Sequence, residues 1–154
     1  RLGPGLSVRL KHAYIVQCHD FKKDEDGNVT EIHCNYFPES KSGSDTSCIK
    51  VKGTIHWVNC KYAKEAEIRL YDRLFKVENP GKEADFLSTI NENSLTIINK
   101  AYIEPALANA SIDDKFQFLR LGYFCLDKNA TPDHLIFNRT VGLKDSWAKE
   151  VKKG

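Results

Sequence analysis

The feature that most constrains the fold is a series of short, strand-like segments separated by strong turn signals. Residues 8–21 (VRLKHAYIVQCHDF) mix apolar–polar alternation with β-branched and aromatic side chains, and residues 29–37 (VTEIHCNYF) do so again. Between these runs stands Asp26-Gly27, a dipeptide typical of tight hairpin turns. The two runs therefore predict a long antiparallel hairpin near the start of the chain.

The same pattern continues along the rest of the sequence. Further strands are predicted at 49–58, 66–77, 94–104, 115–127 and 135–143, although Leu70–Leu74 would also suit a helix. Short helices are predicted at 59–66, 85–90 and 104–110. The polar segment 38–47 is expected to be a mobile loop, and the aromatic residues of 115–127, Tyr123 included, are expected in the core. Many short strands at this spacing favour a mainly β fold built from barrels.

Composition limits the possible functions. The 154 residues are 41% hydrophobic, enough for a core, and the net charge of +2 excludes only a strongly polybasic protein. No apolar run approaches the roughly 18 residues that a membrane span needs. Five cysteines without a CxxC pair indicate a reducing, cytoplasmic setting. Because the chain does not begin with Met, we expect it to be a fragment of a longer protein.

Candidate catalytic and metal-binding chemistry is sparse. Two Cys/His dipeptides, at 18–19 and 33–34, face each other across the predicted hairpin, and such ligands could hold zinc. Neighbouring residues of a strand point to opposite faces, so we predict no metal site. Cys125 has no neighbouring base in the sequence and is expected to be a buried, inert thiol. No phosphate-binding glycine loop is present, and we predict no catalytic residue.

Two segments combine the side chains that recognise unpaired bases. Residues 8–14 (VRLKHAY) and 116–124 (FQFLRLGYF) interleave basic or amide groups with aromatic rings. Arginine and lysine neutralise phosphate, glutamine can pair with a base edge, and aromatic rings stack on bases. The same residues would equally suit a solvated strand face, so the pattern alone leaves both interpretations open.

Four longer motifs carry a resemblance to a known family. In order along the chain these are VKGTIHWV (51–58), EIRLYDRLFKVENPG (67–81), FQFLRLGYFCLD (116–127) and FNRTVGLKDSW (137–147). Their order and spacing resemble those of the C-terminal anticodon-binding region of glutaminyl-tRNA synthetases. The resemblance extends over nearly the whole chain.

This resemblance implies two β-barrels of a kind shared with a ribosomal protein that binds ribosomal RNA. A distal barrel would span residues 1–75, and residues 76–154 would form the C-terminal part of a proximal barrel. In the family, the first proximal strands precede the distal barrel. The second barrel would therefore be incomplete in this chain, with an exposed edge or cleft.

The resemblance also implies a function. The full enzyme would join glutamine to tRNA(Gln) with ATP and Mg²⁺, using a catalytic domain upstream in the same chain. The present chain would bind no cofactor and would read the anticodon loop, as part of a monomer. Its segment 77–85 (VENPGKEAD) resembles the part of the family that carries the anticodon signal towards the catalytic domain.

Five residues match anticodon-binding positions of the family. Arg9 matches an arginine at the first anticodon base, and Lys11 stands in the same pocket but lacks the planar fork of arginine. Gln117 matches a glutamine at the middle base, while Arg120 and Arg1 match arginines that serve the third base. Because Gln117 and Arg120 are three residues apart, we expect their strand to twist strongly or bulge.

Two alternatives use the same fold differently. The related glutamyl-tRNA synthetases that carry these barrels would read another anticodon, although FNRTVGLKDSW favours the glutamine enzyme. A module that only docks proteins through its barrels would not need these polar residues to meet RNA.

Overall fold

The computed structural model describes residues 2–143, and these form two compact units. The first unit ends at Trp57 and the second begins at Val58. Nearly all regular structure in the described range is strand, joined by loops and short 3-10 helices. The predicted mainly β fold class is confirmed. No helix within residues 2–143 is long and apolar enough to cross a membrane.

Residues 2–57 of the first unit form one sheet of four strands. They are β1 (Ser7–Leu10), β2 (Ile15–Lys23), β3 (Val29–Phe37) and β4 (Thr54–Ile55), in the order β3-β2-β1-β4. β1 and β3 run antiparallel to β2, and β4 runs parallel to β1. The predicted hairpin is therefore confirmed, with Gly27 at a φ of 84° in its turn, a conformation that glycine adopts without steric cost.

The predicted strand at 49–58 is much shorter in the structure. Only Thr54–Ile55 pairs, and it does so with the end of β1. The run 8–21 is likewise divided, because a tight turn separates β1 from β2; there the amide of Ala13 donates to the carbonyl of Leu10 at 3.0 Å.

The described residues of the second unit form a five-stranded sheet. Its strands are β5 (Lys64–Tyr71), β6 (Leu95–Ile103), β7 (Lys115–Phe118), β8 (Gly122–Leu126) and β9 (Leu135–Val141), in the order β6-β5-β9-β8-β7. Neighbours run antiparallel except β5 and β9. The core beneath this sheet is apolar and buried, and consists of Ala66, Ile68, Ile103, Phe124, Leu135 and Phe137.

Two corrections concern the strands and helices of the second unit. The predicted single strand at 115–127 is a hairpin, β7–β8, with a turn at residues 119–121. The predicted helical turn at 59–66 is also wrong, because β5 already begins at Lys64. The other two short helices are present as 3-10 helices at Phe86–Thr89 and Pro105–Asn109.

The strand pairings of the described residues form open sheets rather than closed barrels. β3 and β4 are the end strands of the first sheet, and β6 and β7 are those of the second. Because β5 pairs with β6 and β9, residues 64–71 belong to the second sheet. The boundary between the two compact units accordingly lies between residues 57 and 58. The division into two barrels between residues 75 and 76 stays a prediction from the family resemblance.

Candidate nucleic-acid interface

Arg9 lies on β1 with its guanidinium group held on one side. Its Nη1 donates to the carbonyl of Ser40 at 2.6 Å and to the hydroxyl of Ser42 at 3.5 Å. Its Nη2 donates to the carboxylate of Asp45, forming an ion pair. The Arg9 side chain remains 21% exposed. The three partners all come from the loop after β3, which was predicted to be mobile.

Ser40 anchors that loop in the interior. It is completely buried, and its hydroxyl accepts a hydrogen bond from the amide of Ile15 at 2.7 Å and donates to the carbonyl of Phe37 at 2.6 Å. The hydroxyl of Ser42 donates to the carbonyl of Ala13 at 2.9 Å. Sequence reasoning missed these roles, because a serine that caps a buried strand end and a serine in a solvated loop look alike in the sequence.

Asp45 is fixed by bonds of its own. Its carboxylate accepts from the amide of Ser47 at 2.8 Å and from the Ser47 hydroxyl at 2.7 Å. These bonds, and to a smaller degree the Arg9 guanidinium, lower the pKa of Asp45 below its ordinary value. The loop therefore presents a pre-positioned, ionised carboxylate to Arg9.

Lys11 follows β1 in the tight turn before β2. Its amide donates to the carbonyl of Ile55 at 2.9 Å, and its carbonyl accepts from Trp57 Nε1 at 3.0 Å. The backbone of Lys11 is thus pinned on both sides. Within the part of the chain that the structure describes, no carboxylate pairs with the Lys11 ammonium group, whereas Arg9 is paired.

Exposed aromatic rings occur in the same unit as Arg9 and Lys11. Tyr36 on β3 is 60% exposed and packs edge to face with Tyr14, with ring centroids 5.5 Å apart. Trp57 is also exposed. Such rings are suitable platforms for unpaired bases, although motif reasoning did not single them out.

Gln117 lies on the exposed outer face of the β7–β8 hairpin. It stands opposite Tyr123, which is 45% exposed, so the expectation that Tyr123 is a core residue is wrong. The inner face is aromatic: Phe118 stacks on Phe124 with centroids 4.2 Å apart, and lies 5.6 Å from the ring of Phe137. Gln117 therefore projects from a short strand supported by packed rings.

Arg120 is exposed in the turn between β7 and β8. Its φ is 66°, the left-handed region that few non-glycine residues occupy. The turn is closed by the amide of Leu121, which donates to the carbonyl of Phe118 at 2.9 Å. The expected twist or bulge is replaced by this turn, so Gln117 and Arg120 need not share one face of a continuous strand.

A cleft of about 710 Å³ adjoins the turn. Two arginines, Arg120 and Arg139, and one acidic residue, Asp72, are among the residues that line it. The other lining residues are apolar, aromatic or small, and comprise Tyr71, Leu121, Thr140, Gly142 and Leu143. The lining residues therefore include two arginines, whose side chains suit phosphate, one aspartate, and a tyrosine, whose ring can stack on a base.

The buried carboxylate of Asp127 binds polar residues from several of the motifs that carry the family resemblance. Asp127 accepts from Asn138 Nδ2 at 2.6 Å, from the amide of Asn129 at 2.8 Å and from Arg69 Nη1 at 3.4 Å. The Asn138 bond is the largest cause of a lowered pKa of Asp127. Arg69 also pairs with Glu67 at 2.6 Å. These polar residues join β5, β8 and β9, which is a structural role.

The two Cys/His dipeptides lie on the neighbouring strands β2 and β3. In the β2–β3 register, Cys18 stands opposite Cys34, and a bulge follows Cys18. The rings of His19 and His33 lie 6.3 Å apart. Among residues 2–143, no cluster of three or more His, Cys, Asp or Glu side chains is arranged to hold a metal. Cys125 is only partly buried on β8.

The structure thus places the candidate residues in two pairs. Arg9 and Lys11 lie at the end of β1 in the first unit, and Gln117 and Arg120 lie on the β7–β8 hairpin in the second. Arg1 lies outside the described residues. Both pairs consist of side chains that can donate hydrogen bonds, near strand ends or in turns, and such side chains can contact the edges of unpaired bases, as in β proteins that bind single-stranded RNA.

Comparison with protein families agrees with that class. Two models described as tRNA synthetases class I (E and Q), anti-codon binding domain, match residues 1–37 and 54–127. The chain belongs to this family of anticodon-binding domains. Arg9 and Lys11 fall in the first match, and Gln117 and Arg120 fall in the second.

Individual relatives are similar over the whole chain. The glutamine–tRNA ligase of Rhodopirellula baltica is 55% identical over 157 residues, covering 100% of this chain and 26% of the relative. That of Proteus mirabilis is 52% identical over 154 residues, covering 100% of this chain and 28% of the relative. That of Vibrio parahaemolyticus is 52% identical over 150 residues, covering 97% of this chain and 27% of the relative. The chain spans about a quarter of the length of these relatives, and the expected family relationship is confirmed.

Proposed function

We propose that this chain reads the anticodon of tRNA(Gln) as part of a glutamine–tRNA ligase. The observation that carries the proposal is the similarity to glutamine–tRNA ligases at 52–55% identity along the whole chain. The complete enzyme would attach glutamine to tRNA with ATP and Mg²⁺, as a monomer in the cytoplasm. Its catalytic domain would lie elsewhere in the same polypeptide, and this chain would contribute no cofactor-binding group.

Gln117 and Arg120 would read the middle and third anticodon bases. An amide offers donors and an acceptor to a base edge, and a guanidinium offers a planar set of donors. Tyr123, exposed beside Gln117, could stack on a splayed base. The packed rings beneath the hairpin would keep its backbone fixed while the bases bind.

Arg9 and Lys11 would serve the first anticodon base, and Arg1 would assist at the third. Arg9 is restrained by the loop after β3, which suits reading a base edge. The ammonium group of Lys11 suits a single acceptor or a phosphate oxygen. We further propose that residues 77–85 relay anticodon recognition to the catalytic domain.

The central experiment is a binding titration of the chain with labelled RNA hairpins. One hairpin carries the glutamine anticodon, and the other carries the same bases in scrambled order. We expect tighter binding of the first and strong sensitivity to salt. Equal affinity for the two hairpins would contradict the proposal and favour a module that docks proteins.

The double variant Gln117→Ala, Arg120→Ala tests the second-unit site. We expect it to lose about tenfold or more in affinity for the glutamine hairpin, since a good base contact is worth about 1–3 kcal/mol. Urea denaturation should be unchanged, because both side chains are exposed. Lys128→Ala, an exposed cation after β8, is the matched control. Unchanged affinity of the double variant would refute the assignment of these residues.

The family description covers both E and Q enzymes, so the amino acid is tested separately. Charging assays with the full-length protein should attach glutamine and not glutamate. The reverse result would leave anticodon binding intact and change only the identity of the amino acid.

A further inference from the structure

We propose that Asp45 is a positioning residue for Arg9, which makes this arginine read a base edge instead of neutralising a phosphate. The inference rests on the proposed function and extends it, because neither the family resemblance nor the sequence pattern assigns a role to the loop after β3. It is carried by the bonds around Arg9 in the first unit.

The loop occupies one side of the guanidinium group. A guanidinium has five N–H donors. Both donors of Nη1 are directed to Ser40 and Ser42, and one donor of Nη2 is directed to Asp45. Among the described residues, the Nε donor and the second Nη2 donor have no hydrogen-bond partner. Both nitrogens belong to the same planar group, and two such donors fit the acceptors of a base edge.

The partners that set this orientation are themselves rigid. Ser40 is buried, and its hydroxyl bridges the amide of Ile15 and the carbonyl of Phe37. The Asp45 carboxylate is held by two bonds from Ser47. A guanidinium restrained before RNA binds loses less side-chain freedom on binding, which increases affinity and selectivity.

Charge distinguishes base reading from phosphate neutralisation. The Asp45 carboxylate compensates the charge of Arg9, so this arginine should release few counterions when RNA binds. Removing the carboxylate should convert Arg9 into an ordinary phosphate contact. Each such contact steepens the dependence of log affinity on log salt by about 0.7 for single strands. If the carboxylate only occupied Arg9 until RNA displaced it, it would instead weaken the binding of every RNA to the same degree.

The test measures two quantities for Asp45→Asn in the whole chain, with fluorescently labelled RNA hairpins. The first is discrimination, the affinity ratio between the glutamine anticodon and one with its first base replaced. The second is the salt dependence of binding. We expect discrimination to fall about fivefold to tenfold and the salt dependence to steepen. Asp26→Asn, the same charge change in the exposed β2–β3 turn, should alter neither.

Ser47→Ala keeps the charge of Asp45 but removes the side-chain bond that fixes it. We expect a partial loss of discrimination with unchanged salt dependence, which loss of charge cannot produce. This variant also decides the matter if Asp45→Asn unfolds in a urea titration. Replacing the middle base should affect the parent and both variants equally.

The outcomes separate this inference from the proposed function. If the parent discriminates anticodons but Asp45→Asn, or Ser47→Ala in its place, keeps the parent discrimination at the first base, the positioning role is refuted and the proposed function stands. If Asp45→Asn bound both hairpins more tightly and kept its discrimination, Asp45 would only block Arg9, and this result would also refute the positioning role. If the parent does not distinguish the glutamine hairpin from the scrambled one, both proposals fail.

Discussion

The corner around Arg9 and the β7–β8 hairpin present polar side chains in contrasting ways. Arg9 is held directly, through its own guanidinium group, by a loop of polar residues. Gln117 and Arg120 are exposed, and the backbone beneath them is held by stacked aromatic rings. At Arg9 the contacts restrain the side chain itself, whereas in the β7–β8 hairpin they restrain the backbone that carries the side chains. The two regions should therefore respond to different mutations.

The largest effect is expected for Phe137→Ala. Phe137 is completely buried and packs against the rings of Phe116 and Phe118, so its truncation should lower the unfolding free energy of the second unit by about 3–5 kcal/mol. Urea denaturation followed by NMR amide signals would measure each unit separately. Tyr123→Ala on the outer face is the control. Equal destabilisation of both units by Phe137→Ala would contradict the expectation that the two regions respond to different mutations.

A somewhat smaller loss is expected for Gly122→Ala, which should cost about 3 kcal/mol. Gly122 has a φ of 146°, and an added Cβ would lie 2.4 Å from the carbonyl oxygen of Val141. The hairpin that carries Arg120 should be displaced. Gly81→Ala, where an added Cβ meets nothing within 4 Å, should be close to neutral in the same denaturation assay. A stable Gly122→Ala protein with parent-like binding would show that this close approach does not set the hairpin geometry.

In the first unit, Ser40→Ala should cost about 1–3 kcal/mol, because the buried amide of Ile15 loses its acceptor. The same change should loosen the loop that holds Arg9 and reduce discrimination at the first anticodon base, with the hairpin site unaffected. Ser44→Ala, in the exposed part of the loop, is the control. Reduced discrimination at the middle base instead would mean that the two regions do not act separately.

The smallest effect is a difference in pH dependence. The pKa of Asp127 is lowered in the folded state, so its ionised form adds stability above the unfolded pKa of about 3.9. That stability is lost as the pH falls through the lower, folded pKa. Urea denaturation of the second unit at pH values from neutral to acidic should show this loss in the parent and a smaller loss in Asp127→Asn. Asp133→Asn, in the turn before β9, is the control, and identical profiles for the parent and Asp127→Asn would contradict the role of Asp127.

Much of the fold was predictable from local patterns. Residues 29–37 were predicted as a strand with the bounds that the structure has, because alternation and an Asp-Gly turn specify a hairpin locally. The predicted strand at 115–127 was wrong because the chain turns at residues 119–121, where Arg120 and the nearby Gly122 both have a positive φ. Arginine carries no local preference for that conformation, and the close approach of Gly122 to the carbonyl oxygen of Val141 is a contact between residues distant in the sequence.

The candidate site divides in the same way. The resemblance selected Gln117 and Arg120, and their exposure is compatible with a binding role. Ser40 and Asp45 were not selected, because serine and aspartate are ordinary loop residues and their contacts with Arg9 span 31 and 36 positions in the sequence. No periodicity within a short window can report a contact of that range.

The sequence by itself determined the β class, the long hairpin and the family, because alternation, turn residues and ordered motifs are local properties of the chain. Only the tertiary structure decided that the segment after β3 holds Arg9 and that residues 115–126 form a hairpin with Arg120 in its turn. Both decisions depend on where distant groups meet. The buried hydroxyl of Ser40 fixes the loop that holds Arg9, and the approach of Gly122 to Val141 helps to fix the hairpin.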